Sequence, residues 1–328
     1  YFRFYLMSLA IWYILDINQK FPKYFVNLFL VGLFLLIFDS LIQFQFGTNI
    51  LGLEKIHPQR ISSFFGDELV LGSFLVRFLP LIAGLYIFVN YKKFNLKKAL
   101  FLIIIIFFIY IGIMISGDRT AFYLFLLFLP FLIQLRHIIY FKNKIFYLGI
   151  VFTLILTALV FGNENIKNRL IDSTLNSIMS KSNNNQFKLT LFSHNHESHI
   201  KTAIKIFKNN KMSGVGVKQF RNLCSDKKYY INKHSCATHP HNIYAQFLSE
   251  LGFIGFLFLL IYLLYIVFNI LKGFLVKKNN ARNLLNIFVL SAIFINLFPL
   301  APSGNFFNNW LSIIYFFPLG FCLYSRQK

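Results

Sequence analysis

The chain has 328 residues, of which 57% are hydrophobic and only 13% charged, with a formal net charge of +22. A soluble domain of this length cannot hide so much apolar surface in one core, so the composition asks for a membrane as solvent. The positive charge does not point to nucleic acid, because the lysines and arginines are scattered between apolar runs and no soluble binding module accompanies them.

Apolar runs such as 99–115 and 253–271 approach or match the roughly 20 residues that cross ~30 Å of hydrocarbon as a helix. Their lack of period-2 alternation excludes a barrel, the other structure that satisfies its backbone in lipid. The sequence therefore reads as all-α, a polytopic transmembrane helical bundle. Its nine expected spans lie at 1–16, 24–42, 68–90, 99–116, 120–140, 145–162, 243–271, 284–300 and 306–324. The first starts at Tyr1 with neither a basic leader nor a small-residue cleavage site, so it reads as a truncated span rather than a signal peptide. One integrated membrane domain is expected, with N-terminal helices over 1–162, a long loop over 163–242 and C-terminal helices over 243–328.

Charge sets the orientation. Lys20, Lys23, Lys92, Lys93, Lys97, Lys98, Arg136, Lys142, Lys144, Lys272, Lys277, Lys278, Arg282, Arg326 and Lys328 fall on one side of these spans. The opposite short connections carry only Lys55, Arg60 and Arg119. By the positive-inside rule the first side is cytoplasmic and the long loop is outside. A loop of this length is uncommon without a task. In it Ile200, Ala203, Ile204 and Phe207 recur at helical spacing among lysines, which predicts an amphipathic helix on the bundle or the bilayer surface. Residues 181–186 (KSNNNQ) read as a polar spacer. Cys224 and Cys236 are placed to form a disulfide in an oxidising compartment or to stay as two free thiols. Cys322 is expected to pack inside the last span.

Four polar clusters fall on the outer side: Arg60 with Phe65-Gly66-Asp67-Glu68; Ser116-Gly117-Asp118-Arg119-Thr120; Thr238-His239-Pro240-His241-Asn242; and Pro302-Ser303-Gly304-Asn305. Each lies where a helix meets the outer interface, so they can converge on one cavity. His241 sits at a helix entry, with Asn242 able to cap it. An imidazole is the usual general base near neutral pH, and a turn histidine satisfied by backbone is the competing role. Gly252 and Gly255 follow, removing bulk so that a neighbouring helix can approach. Arg119 and Arg60 offer forks of donors suited to phosphate, or act as interfacial anchors. Arg77 lies inside a span, where a charge must be paired, hydrated or on the path of an anionic headgroup. There is no Asp-x-Asp pair, Walker loop, helical zinc pair or Gly-x-Ser-x-Gly elbow. His194, His196 and His199 read as polar loop residues rather than metal ligands, so neither a metal nor another cofactor is expected.

His241-Asn242, nine residues, then Gly252-Phe253-Ile254-Gly255 resembles the signature of the O-antigen ligase and polymerase superfamily. The resemblance extends to Arg60-Ile61-Ser62 with Phe65-Gly66, to Ser116 through Ala121, to Gly214-Val215-Gly216 and to Gly304-Asn305. It implies a GT-C-like, metal-independent glycosyltransferase of the bacterial inner membrane, active on the periplasmic face. The implied donor is a glycan on undecaprenyl pyrophosphate. The acceptor would be the sugar core of lipid A in a ligase, or another carrier-linked repeat in a polymerase. His241 would deprotonate or orient the acceptor hydroxyl, and Arg119 would steady the pyrophosphate. Read from the residues themselves, Arg60, Arg77, His239 and Asn242 are further candidates for the substrate site. Family members carry a further loop arginine, and Arg169, Arg221 or a loop lysine would fill its place here. A transporter or flippase of an anionic lipid-linked sugar is the alternative of another class, although no internal repeat supports it.

Overall fold

The computed structural model describes residues 2–138, 151, 155, 158, 162–181, 187–189, 192–276 and 280–327. Among these the fold is helical. It departs from a purely α chain in one short antiparallel pairing, Met179–Lys181 with Phe187–Leu189, inside the long loop. Four helices are long and apolar enough to cross a membrane: Phe21–Phe46, Leu71–Lys93 with its 3-10 end, Leu96–Ser116 and Ile243–Leu275. Shorter apolar helices cover Arg119–Leu135, Ala281–Asn296 and Asn309–Ser325, and Phe2–Ile17 adds 16 residues. Of the nine expected spans, four thus fall on helices of crossing length and four on shorter ones. The expected span 145–162, the spacer residues 182–186 and Lys142, Lys144, Lys277, Lys278 and Lys328 lie outside the described residues.

Prolines limit two of the short helices. Helix Arg119–Phe128 tightens into a 3-10 run, Leu129–His137, with Pro130 in its first turn. Ala281–Asn296 ends shortly before Pro299. A ring without an N–H cannot continue the ladder and also restricts the residue before it.

Helix Leu71–Asn90 is the axis of the bundle, with every residue from Leu75 to Ile87 buried. Apart from Ser73 and Arg77 in its first turns and Asn90 at its end, it is apolar around its circumference, as suits a central helix. It packs on Ala281–Asn296 and Leu96–Ser116. Gly84 admits Phe288, whose Cβ would lie 2.5 Å from an added Cβ, and Gly112 likewise admits the Leu75 side chain.

The long helix Ile243–Leu275 breaks at Gly252 (φ 67°, ψ −163°). Residues 211–216 take over the pairing that the break removes. Val215 N–H donates to Ser249 O (3.0 Å) and Gly216 N–H to Glu250 O (2.9 Å), while Phe253 N–H donates to Lys211 O (2.7 Å) and Ile254 N–H to Met212 O (3.3 Å). An added Cβ on Gly252 would strike the Met212 carbonyl and the Gly214 amide. The expectation that Gly252 admits a neighbouring helix is therefore corrected: it admits the backbone of the loop. Gly255 faces Leu251 of its own helix.

Helix His194–Asn209 lies on the bundle rather than free of it. It buries Ser198, His199, Thr202, Ala203 and Ile206. Ala203 and Ile206 join Phe220, Cys224, Tyr229 and Ala245 in a small second core. Ile204, expected on the apolar face, is instead exposed with Lys201 and Lys205, while Thr202, Ala203 and Ile206 face inward. Cys224 and Cys236 form a disulfide, and Cys322 is free and buried.

Gly252→Ala forces an L side chain into a left-handed conformation against backbone, so it is expected to cost more than about 2 kcal/mol. Gly32→Ala, where an added Cβ meets nothing within 4 Å, should leave the thermal unfolding midpoint in detergent unchanged or slightly raised. Equal midpoints for the two variants would contradict the assigned role of the break.

Candidate active site

All four polar clusters contribute to one cavity of about 600 Å³. Its lining includes Arg60, Glu68, Asp118, Thr120, Thr238, His239, His241, Ser303 and Asn305, with Arg77 below and His196 and Arg221 from the long loop. Buried polar contacts hold these segments in register. Glu250 accepts the Phe220 N–H (3.2 Å) and a bond from Gln246 Nε2 (3.1 Å). Gln246 also donates to Asn305 Oδ1 (2.8 Å) and accepts the Phe306 N–H (3.0 Å). Helix 243–275, the 218–221 segment and the 303–308 turn are thereby tied together.

His241 is placed by backbone. It is one of three non-glycine residues at positive φ among the described residues (φ 55°), a conformation that persists only when its surroundings determine it. The carbonyl of His241 accepts the Ser303 N–H (2.9 Å). Next to it, Asn242 Oδ1 accepts the Ala245 N–H (3.0 Å) as the helix cap. Asn242 Nδ2 donates to Pro299 O (2.9 Å). Both amide atoms of Asn242 are therefore engaged in holding the helix entry, as its capping role predicts.

The imidazoles of His196, His199 and His239 surround that of His241, with ring centroids 4.9, 5.2 and 4.1 Å away. His239 lies against Ser303 O (3.1 Å from Nε2) and Thr238 Oγ1 (2.9 Å from Nδ1). A carbonyl only accepts, so Nε2 carries the proton and Nδ1 accepts from the threonine hydroxyl. With both nitrogens committed, His239 shapes the site. The ring nitrogens of His241 have no hydrogen-bond partner among the described residues, which leaves them open to the cavity. Burial first, and then the neighbouring imidazoles, push His241 down to about 3. Burial likewise holds His196 and His239 at about 4. The cluster is therefore neutral at pH 7.

The arginines divide among three cavities. Arg60 donates to Leu69 O (2.7 Å) and lines the polar cavity. Arg77, buried among apolar helices, is held by Ser73 Oγ (3.0 Å) and Asn296 Oδ1 (2.9 Å) and reaches the floor of the same cavity. Arg221 borders it from an exposed position. Arg119 faces an adjoining cavity of about 410 Å³, more apolar, with Tyr123, Leu124, Phe298 and Leu300. Its guanidinium donates to Ser173 O (3.1 Å). The two cavities share Thr120, His196 and Pro302. Arg169 donates to Gly117 O (3.2 Å) and faces a third cavity on the other side of the 116–120 turn.

Sequence reasoning gave His196 no role in the site and placed Ser303 there only as a member of one of the four converging clusters. His196 and His199 are three apart on a helix, which puts them on one face, but only the fold shows that this face covers His241. Ser303 Oγ, like Arg60 Nε and His199 Nδ1, is buried without a protein partner among the described residues. Such groups concentrate where a ligand supplies the missing bond. Among the described residues no set of three or more His, Cys, Asp or Glu side chains is disposed to hold a metal ion.

A family model described as O-Antigen ligase matches residues 101–261, a stretch that runs from helix Leu96–Ser116 through the long loop and past Gly252. No curated protein matches the chain.

The histidine cluster gives a signed pH dependence. The unfolded chain takes up protons near pH 6.5, whereas the folded cluster resists them down to about 4 for His196 and His239. Stability is thus insensitive to these groups above about pH 7 and falls as pH drops from ~6.5 toward 4. Thermal unfolding in detergent across that range should show this fall, and His196→Gln should make it shallower.

Proposed function

We propose that the chain, matched over residues 101–261 by a family model described as O-Antigen ligase, is a glycosyltransferase of the O-antigen ligase and polymerase superfamily that moves a glycan from an undecaprenyl-pyrophosphate carrier to the sugar core of lipid A. It would do so from the bacterial inner membrane, at its periplasmic face. The observation that carries this reading is the pair of adjoining cavities, one polar with His241 and one half apolar with Arg119, sharing a neck at Thr120, His196 and Pro302. A lipid-linked donor is half apolar and a sugar acceptor is polar, so the pair matches the two substrates in chemistry.

The acceptor sugar occupies the polar cavity beside His241. The neutral imidazole accepts a hydrogen bond from the acceptor hydroxyl and takes its proton as the oxygen forms a bond to the anomeric carbon of the donor, the adjacent anionic pyrophosphate favouring the protonated ring that burial alone disfavours. The bond from that carbon to the pyrophosphate oxygen breaks, and its electron pair leaves with the carrier. Arg119, at the polar end of the more apolar cavity, stabilises the charge that develops on the leaving pyrophosphate. The carrier tail runs past Tyr123, Leu124 and Leu300. Arg60, Arg77 and Arg221 outnumber Glu68 and Asp118 around the polar cavity, which favours an anionic ligand close by.

His241→Asn is the informative variant, because asparagine tolerates positive φ and so preserves the backbone while removing the base. In a strain lacking the chromosomal copy it should lower glycan transfer at least ~100-fold, with the protein still present in the membrane at its normal level. Unchanged transfer would overturn the role given to His241.

A further inference from the structure

The third cavity, of about 410 Å³, lies against Gly117 of the 116–120 turn, and His241 is not among its lining residues. It is bounded by Phe44, Met114 and Ile115, by the Lys55–Gln59 stretch and by Ile166 and Arg169. Its charged lining residues among those described are Lys55 and Arg169, both cations. Arg169 has one hydrogen bond among the described residues, from Nε to Gly117 O, which leaves its terminal nitrogens for another acceptor. Burial, and then the nearness of Arg119 and Arg60, pull its pKa below the usual arginine value, against the single opposing pull of Asp118. His57, in the same loop, is likewise held low by burial and by Arg169, Arg60 and Lys55. Positive charge is thus concentrated here with little compensation.

The other half of the cavity is apolar and sits at the ends of Phe21–Phe46 and Leu96–Ser116, both of membrane-crossing length. Such ends lie at the level of lipid headgroups. In the chain segment between the lining residues Phe44 and Pro58, Phe46, Ile50, Leu51 and Ile56 present large exposed apolar side chains, a surface that water disfavours and acyl chains accept. A fork of donors suits phosphate oxygens, and the adjoining apolar wall suits a chain attached to that phosphate.

We infer that this cavity binds the headgroup phosphate of an anionic membrane phospholipid, held by Arg169 and Lys55, with its acyl chains along Phe44, Ile115 and Ile166. The bound lipid would brace the turn whose opposite sides carry Asp118 and Arg119. The inference does not depend on what donor or acceptor the other two cavities take.

The test is native mass spectrometry of the full chain in detergent with phosphatidylglycerol, with phosphatidylcholine, and with inorganic pyrophosphate or undecaprenyl phosphate as competitor. The unaltered chain should retain phosphatidylglycerol over phosphatidylcholine by about tenfold, the scale of one charge-assisted hydrogen bond. Lys55→Gln combined with Arg169→Gln should abolish the preference, lowering retention of phosphatidylglycerol more than that of phosphatidylcholine, whose phosphate is offset by its own choline cation. Arg169→Lys, which keeps the charge, should preserve most of it and so separates loss of the site from loss of the fold. No preference in the unaltered chain, or one unmoved in the double variant, would overturn the inference. Displacement by inorganic pyrophosphate would make this a free-anion site. Displacement by sub-stoichiometric undecaprenyl phosphate would make it a carrier site. Either result overturns the phospholipid as occupant.

Discussion

Where helix 243–275 breaks at Gly252, the peptide groups of Ser249, Glu250, Phe253 and Ile254 pair with residues 211–216 instead of with their own helix. Backbone groups that leave a helix ladder need other partners when buried, and the loop backbone supplies them. The exchange needs two chains of backbone in contact, and Gly252 and Gly214 provide the room, since a Cβ on either would overlap the other segment. From this contact the long loop acquires its position. The Phe220 N–H reaches the Glu250 carboxylate, and through Gln246 the same carboxylate is linked to Asn305. The His196 helix, the His241 turn and the Ser303 turn are thus registered to one break in one helix.

A second constraint is the turn at 116–120. Gly117, at φ 62°, lets the chain pass close to the Gln59 carbonyl, and Asp118 caps the following helix through the Ala121 N–H (3.2 Å). In five residues the chain presents Asp118 and Thr120 to the polar cavity, Arg119 and again Thr120 to the more apolar one, and Gly117 to the third. Arginines held in separate places by carbonyls and amides give a surface that is positive yet ordered. That arrangement suits pyrophosphate and phosphate chemistry at a membrane face better than a metal-bridging carboxylate pair would.

Much of this was legible in the sequence, for identifiable reasons. Unbroken apolar runs and scattered lysines report membrane helices, because transfer into hydrocarbon and the positive-inside bias act on composition alone. The spacing from His241 to Gly252 marked both residues. What the spacing hid was the reason for the glycine, which is a backbone angle rather than a helix–helix contact and has no signature in hydropathy. At 120–140 the helix turns 3-10 from Leu129, next to Pro130, and the span expected at 284–300 is observed a few residues earlier, as Ala281–Asn296, ending before Pro299. His196 stayed unrecognised because a histidine on a polar loop helix looks solvated until the fold sets it against His241. Arg119 and His241 were expected in one cavity, and the structure puts them in two that share a neck.

Lipid-linked glycan is the substance that a transferase of this kind consumes, so its fate reads the central claim without knowledge of the sugar. The decisive measurement is the glycan profile on carrier lipid and on lipid A in a strain deleted for the chain. Polymer should accumulate on the carrier while lipid A loses it. Single repeat units reaching lipid A would identify a polymerase of the same superfamily. Carrier-linked and lipid A-linked glycan both unchanged would contradict the transferase reading altogether.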